Sequence, residues 1–117
     1  MAEKQARKGD RQIAIPVEHS IRLLRYDDIV WCEADNNNAK IYLPGTAQAV
    51  KTPRSITELY QKLPRQQFFR IHRSFVVNRY HITEFNREGL VKLTTRKSLS
   101  VSRNNKDEFL AWLGGGI

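Results

Sequence analysis

Three cationic or potentially cationic side chains, Arg70, His72 and Arg73, alternate with apolar ones in the stretch FFRIHRSFVVN, residues 68–78. Arginine can donate two hydrogen bonds to guanine or pair with a phosphate, and histidine can act as a general base. Strand-like alternation would place the apolar side chains on one face, namely Phe69, Ile71, Phe75 and Val77. Arg70 and His72 would face the opposite way, and Arg73–Ser74 would break the strand and push Arg73 outward. These residues suit a nucleic-acid contact, although a solvated sheet face has the same pattern.

Catalytic and metal-binding patterns are weak by comparison. His72 or His81 with Asn78 could form a histidine-dependent nuclease, and His72, His81 and Glu84 could hold a metal without having zinc-like spacing. Cys32 lies in the middle of a strand-like segment, where a small buried apolar role is more usual than a nucleophile. Neither a G-x-S-x-G elbow nor a glycine-rich phosphate loop occurs. We therefore predict that the chain is not an enzyme and uses no cofactor.

The charge distribution points to a polyanionic partner. The net charge is +8 and the isoelectric point is near 10.0. Residues 13–50 carry three Lys and Arg against five Asp and Glu, a net of −2. Residues 51–106 carry thirteen Lys and Arg against three Glu, a net of +10. A domain with such a basic half attracts nucleic acid, and each phosphate that it neutralises adds salt-sensitive affinity.

The length of 117 residues fits one domain with a real core. No run approaches the ~18 apolar residues of a membrane span. The single cysteine suits a reducing compartment, so the expected location is the cytoplasm. We predict a disordered tail or linker remnant over residues 1–12, a DNA-binding domain over residues 13–113 and a flexible C-terminal tail over residues 114–117.

Short strands separated by turn residues dominate the domain, so the expected fold is mainly β, an elongated antiparallel sheet domain of about ten strands with one or two short helices. Asn36–Asn38 has the composition of a hairpin turn. Ser55 and Glu58 form a capping box that opens a helix, which Pro64 ends. A second helix closes the domain at Leu113.

Turns on a rigid sheet can present long hydrogen-bond donors to DNA. By residue type, the candidates for base contacts are Arg73, Arg103, Asn38 and Asn104. The candidates for phosphate contacts are Lys40, Arg70, Arg79, Lys97 and Lys106. The strand pattern assigns five aromatic side chains to the core, namely Trp31, Phe69, Phe75, Phe85 and Trp112. This favours duplex DNA over RNA, because RNA readers expose aromatic side chains for stacking.

Four ordered motifs resemble those of LytTR DNA-binding domains. Phe69–Asn78 resembles the signature F-x-R-I-H-R-S-x-x-V-N, and Ser100–Arg103 is similar to the closing x-V-S-R. Asp28–Leu43 resembles the hairpin D-I-x-x-x-E-A-x-x-N-Y-x-K-I-Y, and the helix Ser55–Leu63 resembles the one before the signature. The resemblance covers about residues 13–113.

The resemblance implies a bacterial transcription regulator of the response-regulator type that inserts loops, not a helix, into successive major grooves. It also implies paired binding to direct repeats, hence a homodimer on DNA, and an N-terminal receiver domain in the full-length protein. The positions that correspond to base contacts are Ala39, Lys40, Arg73 and Arg103. Those that correspond to phosphate contacts are Arg70, Lys40, Asn104 and Lys106.

The hairpin departs from the family pattern at two neighbouring positions. Asn38 stands where the family usually carries an aromatic residue, and Ala39 has no side-chain donor. Lys40 or Asn38 would then read the base from that loop. Two alternatives stay open. The chain is either a stand-alone regulator or an excised C-terminal domain, and its basic face could instead bind RNA or an acidic protein.

Overall fold

Ten short strands and two α-helices build residues 11–114, the part of the chain that this computed structural model describes. The strands are β1 (Gln12–Pro16), β2 (Ile21–Arg25), β3 (Trp31–Asp35), β4 (Asn38–Tyr42), β5 (Val50–Thr52), β6 (Phe68–His72), β7 (Phe75–Asn78), β8 (Ile82–Phe85), β9 (Leu90–Leu93) and β10 (Ser98–Ser100). The helices are α1 (Ile56–Lys62) and α2 (Lys106–Leu113), and the 3₁₀ turns are η1 (Tyr26–Asp28), η2 (Arg79–His81) and η3 (Arg103–Asn105). The prediction of a mainly β, antiparallel fold is confirmed.

The predicted tails fall almost wholly outside the described residues. Residues 1–10 and 115–117 are not described, and β1 already begins at Gln12. The helix α2 ends at Leu113, and the backbone N–H of Gly114 donates to Leu110.

The strands form three antiparallel sheets. β1 and β2 make a two-stranded sheet, and β8, β9 and β10 make a meander in the order β10-β9-β8. The remaining five strands form a central sheet in the order β5-β4-β3-β7-β6. The central sheet therefore contains the two hairpins, β3–β4 and β6–β7, that carry half of the predicted contact residues.

Both faces of the central sheet are covered by hydrophobic cores. On one face, Phe68 and Val76 pack with residues of α1, β1 and β2, and both are fully buried. On the other face, Ile71 and Val77 pack with β9, β10 and α2, and both are again fully buried. The predicted apolar face is confirmed, since Phe69 and Phe75 also contact this second core. The alternative explanation, a solvated sheet face, does not apply to the opposite face, because α1 and the β1–β2 sheet cover it.

The predicted break in the 68–78 stretch is confirmed. The register between β6 and β7 shifts between Arg70 and His72, and His72 then pairs with Phe75. Arg73 and Ser74 are left as a two-residue turn at the end of the hairpin. The chain therefore presents Arg73 at a strand end, where its side chain is exposed.

The capping box that was predicted for α1 is present. The Ser55 side chain accepts from the Glu58 N–H at 3.1 Å, and the Ser55 N–H donates to Glu58 Oε1 at 3.3 Å. The bond from the Ser55 backbone, helped by Arg54, lowers the pKa of the Glu58 carboxyl. Because the pKa of Glu58 is lower in the folded chain than in the unfolded chain, its ionised carboxylate stabilises the fold at neutral pH. This stabilisation is lost as the pH falls through the pKa of Glu58 in the folded chain.

We expect Ser55→Ala to lower the free energy of unfolding by about 1 kcal/mol, because the first turn of α1 loses its side-chain acceptor. Urea denaturation followed by circular dichroism measures the change. Gln61→Ala, at an exposed position of the same helix, should leave the midpoint nearly unchanged. Equal midpoints for Ser55→Ala and the unmodified chain would contradict this role of the cap.

Candidate nucleic-acid interface

Two hairpin turns lie at the same end of the central sheet. β3 and β7 are antiparallel neighbours, and Glu33 pairs with Phe75, so the end of β3 adjoins the start of β7. The Ala34 N–H donates to the Ser74 carbonyl at 2.8 Å, which joins the two hairpins at this point. The turn Asn36–Asn37 and the turn Arg73–Ser74 therefore belong to one edge, which we call the recognition edge.

A third segment is bonded to the same edge. The Ser102 N–H donates to the Ile71 carbonyl at 2.8 Å, and the Asn105 side-chain amide donates to the Arg70 carbonyl at 3.4 Å. These bonds attach η3 to the end of β6. Arg103 and Arg73 are far apart in sequence, yet they extend from two segments that are hydrogen-bonded to one strand.

A cavity of about 560 Å³ opens between these segments. Its lining is rich in arginine and amide side chains, and it consists of Tyr60, Arg65, Phe69, Arg70, His72, Arg73, Ser102, Asn104, Asn105 and Glu108. Three predicted contact residues, Arg70, Arg73 and Asn104, are thus brought together. Glu108 is the one carboxylate in this lining, so the cavity is cationic at neutral pH.

Arg73 and Arg103 have the properties that a base reader needs. Both side chains are exposed, and within residues 11–114 neither takes part in a salt bridge. Asn104 beside them is exposed as well. Free guanidinium groups on an anchored backbone can donate two parallel hydrogen bonds to an acceptor pair without first breaking a contact.

The β3–β4 hairpin offers fewer contacts than the sequence predicted. Asn36 adopts a φ of 56°, which asparagine tolerates, and Asn38 is exposed at the start of β4. Lys40 is half-buried, opposite Glu33 on one neighbouring strand and Lys51 on the other. The prediction that Ala39 contacts a base is wrong, because its side chain is 1% exposed and packs in the first core.

Arg79 is the second correction. Its guanidinium donates to the carbonyls of Trp112, at 2.7 Å, and of Leu113, and its Cζ lies 4.9 Å from the Trp112 ring centroid. Arg79 therefore caps the C-terminus of α2, where the helix dipole also stabilises a cation. It follows β7 at the end of the sheet opposite the recognition edge, so it is not available there for a phosphate.

The last two predicted phosphate contacts lie outside the cavity. The ammonium of Lys97 lies 5.5 Å from the Trp31 ring centroid, just before β10. Lys106 begins α2, and its stem passes over Gly89, where an added Cβ would lie 2.9 Å from Lys106 Cε. Gly89 also has a φ of 87°, so this position suits glycine on two counts.

A sequence model of the family described as the LytTr DNA-binding domain matches residues 19–114. The chain belongs to this family. Membership supports DNA binding in the regulation of transcription as the function, and it indicates a regulator rather than an enzyme. The resemblance drawn from the four motifs is therefore confirmed.

Similar proteins agree with this assignment. The chain is 34% identical over 118 residues to "Sensory transduction protein LytT" of Enterococcus faecalis, across 96% of this chain and 48% of that protein. It is 25% identical to "Transcriptional regulatory protein LytR" of Staphylococcus aureus, across 97% and 47%. The chain thus spans about half the length of these relatives.

The fold superposes on the LytTr DNA-binding domain of a methyl-accepting/DNA response regulator from Bacillus cereus with a TM-score of 0.74, at 20% identity, covering 89% of this chain and 97% of that one.

Sequence reasoning missed Arg65 as part of the cavity lining. Its guanidinium carbon lies 4.2 Å from the Tyr60 ring centroid, and its carbonyl accepts from the Trp112 indole N–H at 2.8 Å. Arg65 lies in the loop between α1 and β6, with no motif around it. Only the packing of α2 against this loop brings it to the cavity, so no local signal could have revealed it.

The residues considered for nuclease chemistry have structural partners. The Asn78 amide donates to the carbonyls of Tyr26 and Ile29, and its oxygen accepts from the Tyr80 N–H at 2.9 Å. His81 bonds the Thr94 hydroxyl and the Asp27 carbonyl. His72 Nδ1 accepts from the Ser74 N–H, so it orients the turn.

Metal binding and thiol chemistry have no support in the described part of the chain. Residues 11–114 contain no cluster of three His, Cys, Asp or Glu side chains able to hold a metal. They also contain no helix that is long and apolar enough to cross a membrane. Cys32 is fully buried, and burial raises the pKa of its thiol to about 12.

We expect Cys32 to resist iodoacetamide at pH 8 in the folded protein, because its thiol is both buried and protonated. Alkylation should become fast once urea unfolds the chain, and intact-mass spectrometry measures both reactions. The unfolded sample is the control for reagent activity. Fast alkylation under native conditions would contradict the buried position.

Proposed function

We propose that the chain binds duplex DNA sequence-specifically through the recognition edge and thereby controls transcription in bacteria. The observation that carries this proposal is the shared attachment of the Arg73 and Arg103 segments to the end of β6. Both are exposed, neither has a carboxylate partner among residues 11–114, and both extend from segments that are hydrogen-bonded to β6. Two such arginines suit guanine edges in a major groove.

Duplex DNA is favoured over single-stranded RNA by the position of the aromatic side chains. Among the described residues, Tyr80 is the one exposed aromatic, and it lies beyond the end of β7 that is opposite the recognition edge. Single-strand readers stack bases on exposed aromatic side chains next to their basic groups. The recognition edge has basic and amide groups but no such platform.

The proposed docking uses turns. The turn Arg73–Ser74 and the segment η3 enter one major groove, where Arg73 and Arg103 contact bases. Asn38 and Lys40, on the neighbouring hairpin, reach the next groove. Asn104, Lys106 and Lys97 contact phosphates, which position the domain without reading sequence.

The wider assembly is also a proposal. The matched relatives are about twice as long as this chain and carry names of sensory transduction and transcriptional regulation. We infer that this domain acts with a receiver domain N-terminal to it in a response regulator of a two-component system. Two copies bind direct repeats as a pair, in the cytoplasm, where the chromosome lies.

Selection from a random duplex library tests the proposal directly. Several rounds of binding and amplification should enrich one sequence family, and that family should outcompete random duplex and structured RNA at moderate salt. Absence of enrichment, with equal affinity for all duplexes, would overturn sequence-specific binding. Preferential retention of structured RNA, or of an acidic polypeptide, would favour the alternative functions instead.

We expect Arg73→Ala and Arg103→Ala each to weaken binding to the selected site by about 1–3 kcal/mol and to relax preference at one base pair. The removed guanidinium would have donated to that base. Fluorescence anisotropy on the selected site and its single-base variants measures both effects. Arg22→Ala, an exposed arginine on β2, is the matched control and should bind as the unmodified chain does.

We expect Lys106→Ala to weaken all duplexes alike and to flatten the plot of log affinity against log salt by about 0.9, because one phosphate contact is lost. Titrations at several salt concentrations give the slope. If Arg73→Ala instead gave a uniform loss with a flattened slope, the assignment of Arg73 to base reading would be wrong.

A further inference from the structure

We propose that Arg70 is a positioning residue that fixes the Arg73–Ser74 turn for base reading, rather than a phosphate contact. Its guanidinium bridges the Arg73 carbonyl and the Thr57 hydroxyl on α1. Thr57 thereby helps to hold the base-reading turn through Arg70, without itself contacting DNA. The proposal rests on the proposed function, since it concerns how the base-reading turn is held.

Both terminal nitrogens of the Arg70 guanidinium already donate to protein oxygens. Nη2 donates to the Arg73 carbonyl at 2.5 Å, and Nη1 donates to Thr57 Oγ1 at 3.0 Å. Nε is buried and has no partner. Because Nε is buried, the side of the guanidinium formed by Nε and its neighbouring Nη is closed to a bidentate phosphate contact. A phosphate would have to share terminal nitrogens that already donate to protein oxygens.

The bond to Arg73 completes the restraint of the turn. The Ser74 N–H donates to His72 Nδ1 at 3.1 Å, and the Ser74 carbonyl accepts from the Ala34 N–H at 2.8 Å. The Arg73 carbonyl is the remaining acceptor of this two-residue turn, and Arg70 holds it. With that carbonyl held, the plane of the peptide bond between Arg73 and Ser74 is fixed, and this restrains the point from which the Arg73 side chain leaves the turn.

The chemistry of the bridge requires arginine. A planar guanidinium presents donors at fixed angles, so it can hold an acceptor on the turn and an acceptor on the helix together. An ammonium is a single point on a flexible stem and would satisfy one of the two acceptors at a time. The helix end of the bridge is well anchored, because α1 begins with the Ser55 capping box and buries Ile56 and Leu59.

Thr57 gives a test that leaves every predicted DNA contact in place. Thr57→Val removes the acceptor with little change of shape, whereas Thr57→Ser retains it. We expect Thr57→Val to reduce discrimination at the base pair read by Arg73 by about 3- to 10-fold, the range for the loss of one typical intramolecular hydrogen bond. Thr57→Ser should stay within about 2-fold of the unmodified chain, and the salt slope should not change in either variant, because neither substitution alters a charge.

Arg70→Gln separates the positioning role from a phosphate contact. A positioning role predicts lost discrimination, an unchanged salt slope and little further effect in the Arg73→Ala background, because both changes disable the same contact. A phosphate role predicts uniform weakening of all duplexes, a slope reduced by about 0.9 and additivity with Arg73→Ala. That second set of results would overturn the proposal.

The outcomes also separate this proposal from the proposed function. If the unmodified chain prefers one DNA sequence and Thr57→Val discriminates between base pairs equally well, the positioning role of Arg70 is wrong, whereas sequence-specific binding is supported. If the unmodified chain shows no preference for any DNA sequence, both the proposed function and the positioning role of Arg70 are wrong.

Discussion

Hydrophobic cores cover both faces of the central sheet, and this burial constrains where the domain can meet a macromolecule. Phe68 and Val76 are fully buried on one face, and Ile71 and Val77 are fully buried on the other. A polar contact on either face would have to displace close-packed apolar side chains, which costs several kcal/mol for each large residue. Contact residues are therefore confined to the ends of the strands and to the turns between them.

The two ends of the sheet use their polar residues differently. At the end of β7, Asn78 is buried and bonds Tyr26, Ile29 and Tyr80, while Arg79 caps α2. These bonds satisfy buried backbone groups and close that end. At the recognition edge, backbone bonds anchor the turns, while Arg73 and Arg103 extend freely into solvent. One end thus supports the fold, and the other is available for a polyanion.

Local features were predictable from the sequence because neighbouring residues decide them. The break at Arg73–Ser74, the Asn-rich turn and the Ser55 cap depend on residues within a few positions. The burial of Ala39 and the capping role of Arg79 depend on tertiary packing, and Arg79 meets carbonyls more than thirty residues away. The resemblance located the hairpin positions but could not show that Ala39 lies in the core. Arg65 reaches the cavity through packing alone, so no local pattern marked it.

Amide chemical-shift mapping would show whether DNA meets the recognition edge. A ¹⁵N-labelled sample would be titrated with the selected duplex. We expect the largest shifts at Arg73, Ser74, Arg103 and Asn104, with smaller ones at Asn38 and Lys40 and none at Tyr80. Shifts that cluster around Tyr80 and the end of β7, with the Arg73–Ser74 turn unchanged, would contradict this expectation.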